Sequence, residues 1–107
     1  MIYEWRIYEV MPGKMSMLNN VFEKLLVKLF KKHGIRVIGF WQTVIGTGSR
    51  LYYLVSFENL AGRDKAWNSF YSDPEFIKGW ANAAREGPLV AKVINTILQP
   101  TQYSPMK

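Results

Sequence analysis

The sequence predicts an α+β domain in which helices cover one face of a four-stranded antiparallel sheet. Two observations support this: the apolar pattern alternates between a period of two and a helical period, and two strand-like runs meet across a glycine-rich turn. The runs IRVIGFWQTVIG and RLYYLVSF, residues 35–46 and 50–57, are joined through Gly46-Thr47-Gly48-Ser49. β-Branched and aromatic residues favour strands, and glycines between two such runs favour a hairpin. We expect every other segment to cover this hairpin or to pair with it.

The first strand and the first helix follow from the spacing of apolar residues. Residues 2–10 alternate in the pattern of a strand, which Pro12-Gly13 ends with turn chemistry. From Lys14 to His33 the period becomes helical, and cationic residues followed by Gly34 mark the C-terminal end of the helix. The predicted apolar stripe of this helix is Leu18, Phe22, Leu25 and Leu29, widened by Met15, Val21, Leu26 and Phe30.

The second half of the chain predicts two helices and a last strand. Asn59 is the predicted N-cap of the first helix, and Asp73, directly before a proline, caps the second. The last strand is residues 89–98, LVAKVINTIL, which completes a domain of residues 1–100 before a tail of residues 101–107. The helical spacing in the first of these helices is that of Leu60, Arg63, Trp67 and Phe70 or Tyr71. The order β-α-β-β-α(α)-β is that of a ferredoxin-like fold.

Composition excludes several classes of protein. The 107 residues are 49% hydrophobic, which suits one folded domain, and the absence of cysteine excludes disulfides, thiolate metal sites and cysteine nucleophiles. No apolar run approaches the roughly 20 residues that cross a bilayer, and the alternating start MIYEWRIYEV is unlike a signal peptide. The net charge of +6 indicates solubility and non-specific attraction to anions. We therefore expect a cytoplasmic protein without a metal, a cofactor or a membrane partner.

Both faces of the predicted sheet are apolar, although two helices can cover only one. In the third strand, Tyr52 and Leu54 oppose Tyr53 and Val55, whereas a face in water would alternate with polar residues. The second and fourth strands show the same pattern. We therefore expect an obligate homodimer through the sheet face, with an interface of roughly 2,000 Å² or more in total.

Four stretches of the chain resemble proteins of the NIPSNAP-domain family. They are YEWRIYEVMPGK at 3–14, KHGIRVIGFWQTVIG at 32–46, SDPEF at 72–76 and PLVAKVINTILQP at 88–100. The resemblance implies a dimeric α/β barrel, in which two ferredoxin-like sheets face each other across a cavity. The wider superfamily includes cofactor-free monooxygenases, haem-binding proteins and isomerases, so the resemblance implies a cofactor-independent monooxygenase or isomerase as one activity.

Five residues are candidates for lining a ligand cavity. Glu4, Arg6 and Tyr8 share one face of the first strand. If this face lies opposite the helices, they join Trp41 and Tyr52 in a mostly apolar pocket that suits a small apolar or aromatic ligand. Glu4 beside Arg6 would then be available for acid–base chemistry, with Tyr8 as a hydrogen-bond donor. The alternative is that Glu4 and Arg6 form a structural pair at the dimer interface and contact no ligand.

His33 is the only histidine of the chain. Its position at a helix C-terminus is explained by the helix dipole, and haem ligation is the alternative role. With one histidine and no supporting motif, the sequence predicts no Ser-His-Asp arrangement.

Nucleic-acid binding is not predicted, although RNA-recognition domains share this element order. The run from Arg50 to Phe57 lacks both glycines of the RNA-binding motif and has Leu54 where a base-stacking aromatic belongs. Two classes of function remain. One is a small-molecule-binding protein or cofactor-independent enzyme, and the other is a non-catalytic dimeric interaction module that works through its helical surface.

Overall fold

The computed structural model describes residues 1–107 and confirms the predicted α+β architecture. The strand order is β2-β3-β1-β4, and all neighbouring strands are antiparallel, as in other split βαβ folds. None of the helices has the length and hydropathy that a membrane span requires. The elements are β1 (Ile2–Val10), α1 (Met15–Val21), a π-helical turn (Phe22–Leu26), α2 (Val27–Lys32), β2 (Arg36–Gln42), β3 (Arg50–Phe57), α3 (Leu60–Tyr71), α4 (Pro74–Ala83) and β4 (Val90–Leu98).

The helices cover one face of the sheet, which we call the helix face, and leave the opposite, open face uncovered. The alternation of β3 identifies the two faces, because from Arg50 to Val55 every second side chain is buried and those between are partly exposed. Tyr53 and Val55 are fully buried in the core on the helix face. Tyr52 and Leu54 lie on the open face and remain partly exposed. One apolar layer therefore lacks a cover within the protomer.

A π-helical turn interrupts the first helix and changes its buried stripe. The N–H of Val27 donates to the carbonyl of Phe22, five residues earlier, so one extra residue enters this turn and rotates the residues that follow. Leu26, predicted at the side of the stripe, is buried in the core, whereas Leu25, predicted at its centre, is only half-buried and packs against Gly79 of α4. A Cβ at residue 79 would lie 2.1 Å from Leu25 Cδ2, so glycine there permits the close approach of the two helices.

Both predicted caps of the later helices are confirmed. The side-chain oxygen of Asn59 accepts the N–H of Gly62 at 2.8 Å, and Oδ1 of Asp73 accepts the N–H of Glu75 at 2.8 Å. The proline that follows Asp73 occupies the first turn of α4, where backbone N–H groups have no acceptor within the helix, so the N–H that proline lacks is not needed.

A β-bulge in β2 changes which residues share a face. Simple alternation along the sequence groups Val37 with Trp41, but the register shifts between Val37 and Gly39. The extra residue leaves Val37 and Phe40 against the core and puts Gly39 and Trp41 on the open face. The indole of Trp41 lies over Gly39, where a Cβ would come within 2.7 Å of the ring.

The tail of residues 101–107 lies near one end of the open face. The Tyr3 hydroxyl donates a hydrogen bond of 2.7 Å to the carbonyl of Lys107, and Tyr3 is buried as a result. The centre of the open face, around Trp5, Trp41 and Tyr52, is not covered by the tail.

Candidate functional site

Glu4 and Arg6 of β1 lie beneath α3, on the helix face. Glu4 is fully buried, and both of its carboxylate oxygens accept hydrogen bonds. Oε1 accepts from Arg63 Nε at 2.8 Å and from Trp67 Nε1 at 2.9 Å. Oε2 accepts from Arg6 Nη1 at 2.9 Å and from Asn95 Nδ2 at 3.1 Å. Burial alone would raise the pKa of Glu4, but these donors lower it to about 2.

The hydrogen bonds and ion pairs of Glu4 indicate a structural role and make its carboxylate a weak base. Both carboxylate oxygens of Glu4 already accept hydrogen bonds from neighbouring side chains, and a carboxylate with so low a pKa does not take up a proton near neutral pH. Acid–base chemistry at Glu4, which the sequence allowed, is therefore not supported by this geometry.

This pairing predicts a defined loss of stability in acid. The pKa of Glu4 is about 2 in the folded chain against 4.5 for an unperturbed glutamate, so its contribution to stability is complete above pH 4.5 and is lost as the pH falls towards 2. We expect Glu4 to account for a decrease of about 2 kcal/mol in the free energy of unfolding between pH 6 and pH 3. Urea unfolding at both pH values measures it, and the decrease should be smaller by this amount in Glu4→Gln. An identical decrease in both proteins would contradict the assignment.

Arg6 connects the carboxylate to three tyrosines. Its Nε donates to the Tyr53 hydroxyl at 2.7 Å, its Nη2 donates to the Tyr71 hydroxyl at 3.0 Å, and its guanidinium lies 4.4 Å from the centre of the Trp67 ring. The hydroxyls of Tyr8 and Tyr53 are 2.9 Å apart. Burial raises the pKa of both Tyr53 and Tyr71, so both phenols keep their protons at neutral pH.

The protons of this network can be assigned by counting donors and acceptors. Tyr53 is fully buried and accepts from Arg6, and the oxygen of Tyr8 is the acceptor within reach of its proton. Tyr8 therefore accepts from Tyr53 and keeps its own proton free. Tyr71 accepts from Arg6 and likewise keeps its proton free. Two hydroxyl donors are left for a ligand.

Both tyrosines line a small cavity between the sheet and the last two helices. Its volume is about 170 Å³, close to that of cavities that hold a single benzene ring, roughly 150 Å³. The partly exposed Tyr71 lies at its entrance. The lining residues are Tyr8, Leu26, Phe30, Phe70, Tyr71, Phe76, Trp80, Val90 and Val93. A larger, more open and more polar groove of about 500 Å³ lies between α1 and α4, but no buried charge faces it.

The five residues predicted to line one cavity divide between the two faces of the sheet. Glu4, Arg6 and Tyr8 lie on the helix face, whereas Trp41 and Tyr52 lie on the open face. The expectation that all five share one pocket is therefore wrong. The physical reason is that α3 supplies the donors that a buried carboxylate needs, so the side of β1 that carries Glu4 and Arg6 can face the helices.

On the open face, Trp41 and Tyr52 form an aromatic cluster around Trp5. The ring centres of Trp5 and Trp41 are 5.9 Å apart, and those of Trp5 and Tyr52 are 5.8 Å apart. Trp41 is 51% exposed, so the cluster presents a large apolar surface to its surroundings.

His33 lies between two side chains of the later helices. Its Nδ1 is 2.6 Å from Ser69 Oγ, and its Nε2 is 2.6 Å from Asp73 Oδ2. Lys32 Nζ lies 2.9 Å from the same carboxylate oxygen. The structure thus assembles a Ser-His-Asp arrangement that the sequence does not predict, because Ser69 and Asp73 lie far from His33 along the chain.

Comparison with known proteins identifies the family of the chain. The family model named NIPSNAP matches residues 3–105. The chain belongs to the NIPSNAP family. A Caenorhabditis elegans protein described as a NipSnap protein is 24% identical to it over 107 residues, which cover 99% of the chain but 19% of that protein. This NIPSNAP domain therefore spans about a fifth of the length of that relative.

Solved structures share the fold of this NIPSNAP domain over its whole length. Protein Atu4242 of Agrobacterium tumefaciens has a TM-score of 0.88 with 23% identity, and all of each chain is covered. A NIPSNAP-like domain protein of Burkholderia xenovorans has a TM-score of 0.86 with 27% identity, covering 97% of this chain and 88% of its own. A Nitrosomonas europaea protein described as an antibiotic biosynthesis monooxygenase has a TM-score of 0.65 with 10% identity, covering 94% and 98%. The last similarity shows a common fold.

Sequence reasoning missed the α3 partners of the buried charges in this NIPSNAP domain. Arg63 and Trp67 lie four residues apart on α3, and Tyr71 follows after four more, so all three point towards β1. An arginine within an otherwise apolar helix stripe is the signal that indicates a buried carboxylate partner.

Proposed function

We propose that this NIPSNAP domain binds a small apolar or aromatic molecule that carries an oxygen acceptor, in the cavity between β1 and the helices α3 and α4. The supporting observation is the combination of apolar walls with two hydroxyls, those of Tyr8 and Tyr71, whose protons are free. Arg6 fixes one of these hydroxyls directly and the other through Tyr53, so the donors are oriented before a ligand arrives.

The chemistry of this cavity supports binding and polarisation of a carbonyl oxygen. A cofactor-independent monooxygenase or isomerase needs a base that removes a proton from its substrate. Glu4 is committed to its own donors, and neither a carboxylate nor an imidazole is among the residues that line the cavity. Hydroxyl donors alone can stabilise negative charge that develops on a ligand oxygen. Monooxygenase or isomerase activity stays a prediction, as does the role of an interaction module.

A pair of ligands of the same shape tests the proposed site. Acetophenone and α-methylstyrene differ by a carbonyl oxygen in place of a methylene carbon, and both are single-ring molecules of a size for this cavity. We expect acetophenone to bind about fivefold more tightly, the equivalent of one neutral hydrogen bond of about 1 kcal/mol. Titration followed by NMR shifts of the cavity residues measures both affinities.

Removal of the hydroxyl at the cavity entrance provides the matched control. Tyr71→Phe should reduce the preference for acetophenone, because only the Tyr8 hydroxyl is left to donate, whereas Tyr103→Phe, in the exposed tail, should leave it unchanged. Equal affinities for the two ligands in the wild-type protein, or an unchanged preference in Tyr71→Phe, would contradict the proposal.

We also propose that the open face forms a homodimer interface. The protomer exposes 6988 Å², compared with roughly 6,100 Å² expected for a monomeric protein of this mass. The excess is of the order of the 800 Å² that each partner buries in a standard interface. The aromatic cluster of Trp5, Trp41 and Tyr52 would lie at the centre of the contact, which two opposed sheets would share about a two-fold axis.

A further inference from the structure

Ser69, His33 and Asp73 have the contacts of an activated hydroxyl. Asp73 is buried, and hydrogen bonds from His33 and Lys32 hold its pKa well below the usual range, so its carboxylate is ionised and only accepts. His33 Nε2, at 2.6 Å, must therefore carry the proton that it donates. In the neutral imidazole Nδ1 then has a lone pair, and the Ser69 hydroxyl donates to it at 2.6 Å.

The surroundings of Ser69 offer space and positive charge. A shallow depression of about 280 Å³ lies at this hydroxyl, bordered by Gly34 and Gly62, which have no side chains to crowd it. Lys65 precedes Ser69 by one helical turn, borders the same depression and forms no ion pair in the structure. Its ammonium group is therefore available to an anion beside Ser69.

We propose that Ser69 is a nucleophile towards esters that carry a negative charge, with His33 as its general base, Asp73 as the residue that orients His33, and Lys65 as the group that attracts the substrate. This site is separate from the cavity behind Tyr8 and Tyr71 and does not depend on it. Nucleophile, base and orienting carboxylate are each within hydrogen-bond distance of the next, as activation of a serine requires.

The step is a substitution at the carbonyl carbon of an ester or at phosphorus. Ser69 Oγ forms a bond to that atom, and the leaving group departs with the electron pair of the bond that breaks. The hydroxyl proton moves to His33 Nδ1, and the resulting imidazolium, stabilised by the ionised Asp73, gives that proton to the departing alkoxide. Water then attacks the acyl- or phosphoryl-serine, and His33 Nδ1 passes a proton from this water to Ser69 Oγ.

A fluorophosphonate with a carboxylate at the end of its alkyl chain is the probe. Oγ–P bond formation expels fluoride and gives a stable adduct, which intact mass spectrometry counts and peptide mapping locates. We expect one adduct per chain, at Ser69, and none in Ser69→Ala. Ser72→Ala, which removes another exposed serine just beyond α3, should label at the wild-type rate.

Two variants test whether Ser69 reacts because its neighbours activate it or only because it is exposed. His33→Gln retains an amide that can donate to Asp73 but has no basic nitrogen, and we expect labelling to slow by about 100-fold or more. Lys65→Gln should remove the preference for the carboxylate-bearing probe over the same probe with a methyl terminus. No adduct, an adduct at another residue, or labelling of His33→Gln at the wild-type rate would each overturn the proposal.

Discussion

Replacement of Glu4 by glutamine should lower the free energy of unfolding by about 3–5 kcal/mol, the cost of removing one partner from a buried ion pair. The carboxylate accepts from Arg6 and Arg63 as well as from an indole and an amide, and Arg6 is itself only 6% exposed. Without the anion, a buried cation is left uncompensated. Urea unfolding at pH 7 measures the change.

Glu9→Gln is the matched control, because it makes the same substitution on the same strand. Glu9 pairs with Arg50 at 2.9 Å, but both side chains are about one-third exposed, so the pair contributes about 0–1 kcal/mol. If Glu4→Gln and Glu9→Gln destabilise the protein equally, the network beneath α3 does not hold the sheet and helix together.

Features that depend on neighbouring residues along the chain are predictable from this sequence. The helix caps at Asn59 and Asp73 require a side chain only two or three residues from the N–H that it accepts. The strands of the central hairpin follow equally from their β-branched and aromatic residues and from the glycines between them, although β2 ends at Gln42, before the predicted run does. For the same reason the element order, and with it the fold class, can be predicted with no tertiary information.

Features that depend on tertiary partners are not predictable in the same way. Alternation divides β1 into two sets, but it does not say which set faces the helices, and a charged set normally faces water. Here Arg63 and Trp67 reverse that rule by supplying donors for Glu4. The π-helical turn and the bulge before Gly39 each add one residue to a regular pattern. A glycine inside a strand is a local sign of a bulge, but alternation alone does not show where the extra residue lies.

The candidate site shows the same division. Tyr8 can be predicted from the sequence as a polar group that shares a strand face with Glu4 and Arg6. Its role depends, however, on Tyr53 of β3 and Tyr71 of α3, which lie far from it along the chain. His33 is explained locally by the end of its helix, whereas its contacts with Ser69 and Asp73 arise only when α3 and α4 pack beside it.

Trp41→Glu should convert the proposed homodimer to monomers. Trp41 is 51% exposed in the protomer and its ring contacts Gly39, so a glutamate at position 41 meets solvent in the monomer and leaves the core intact. In a dimer closed through the open face, the same carboxylate would be buried among Trp5 and Tyr52 without a partner. We expect the dissociation constant to rise by about 1,000-fold, the equivalent of about 4 kcal/mol.

Sedimentation equilibrium across nanomolar to high micromolar concentrations measures this change. Ile77→Glu is the matched control, because Ile77 is a similarly exposed apolar residue, 55% accessible, but lies on α4, on the helical side of the sheet. It should remain a dimer if the open face is the interface. If Ile77→Glu dissociates and Trp41→Glu remains a dimer, the interface lies on the helices, which is the surface that an interaction module would use. If the wild-type protein is a monomer, the proposal that the open face is a dimer interface is wrong.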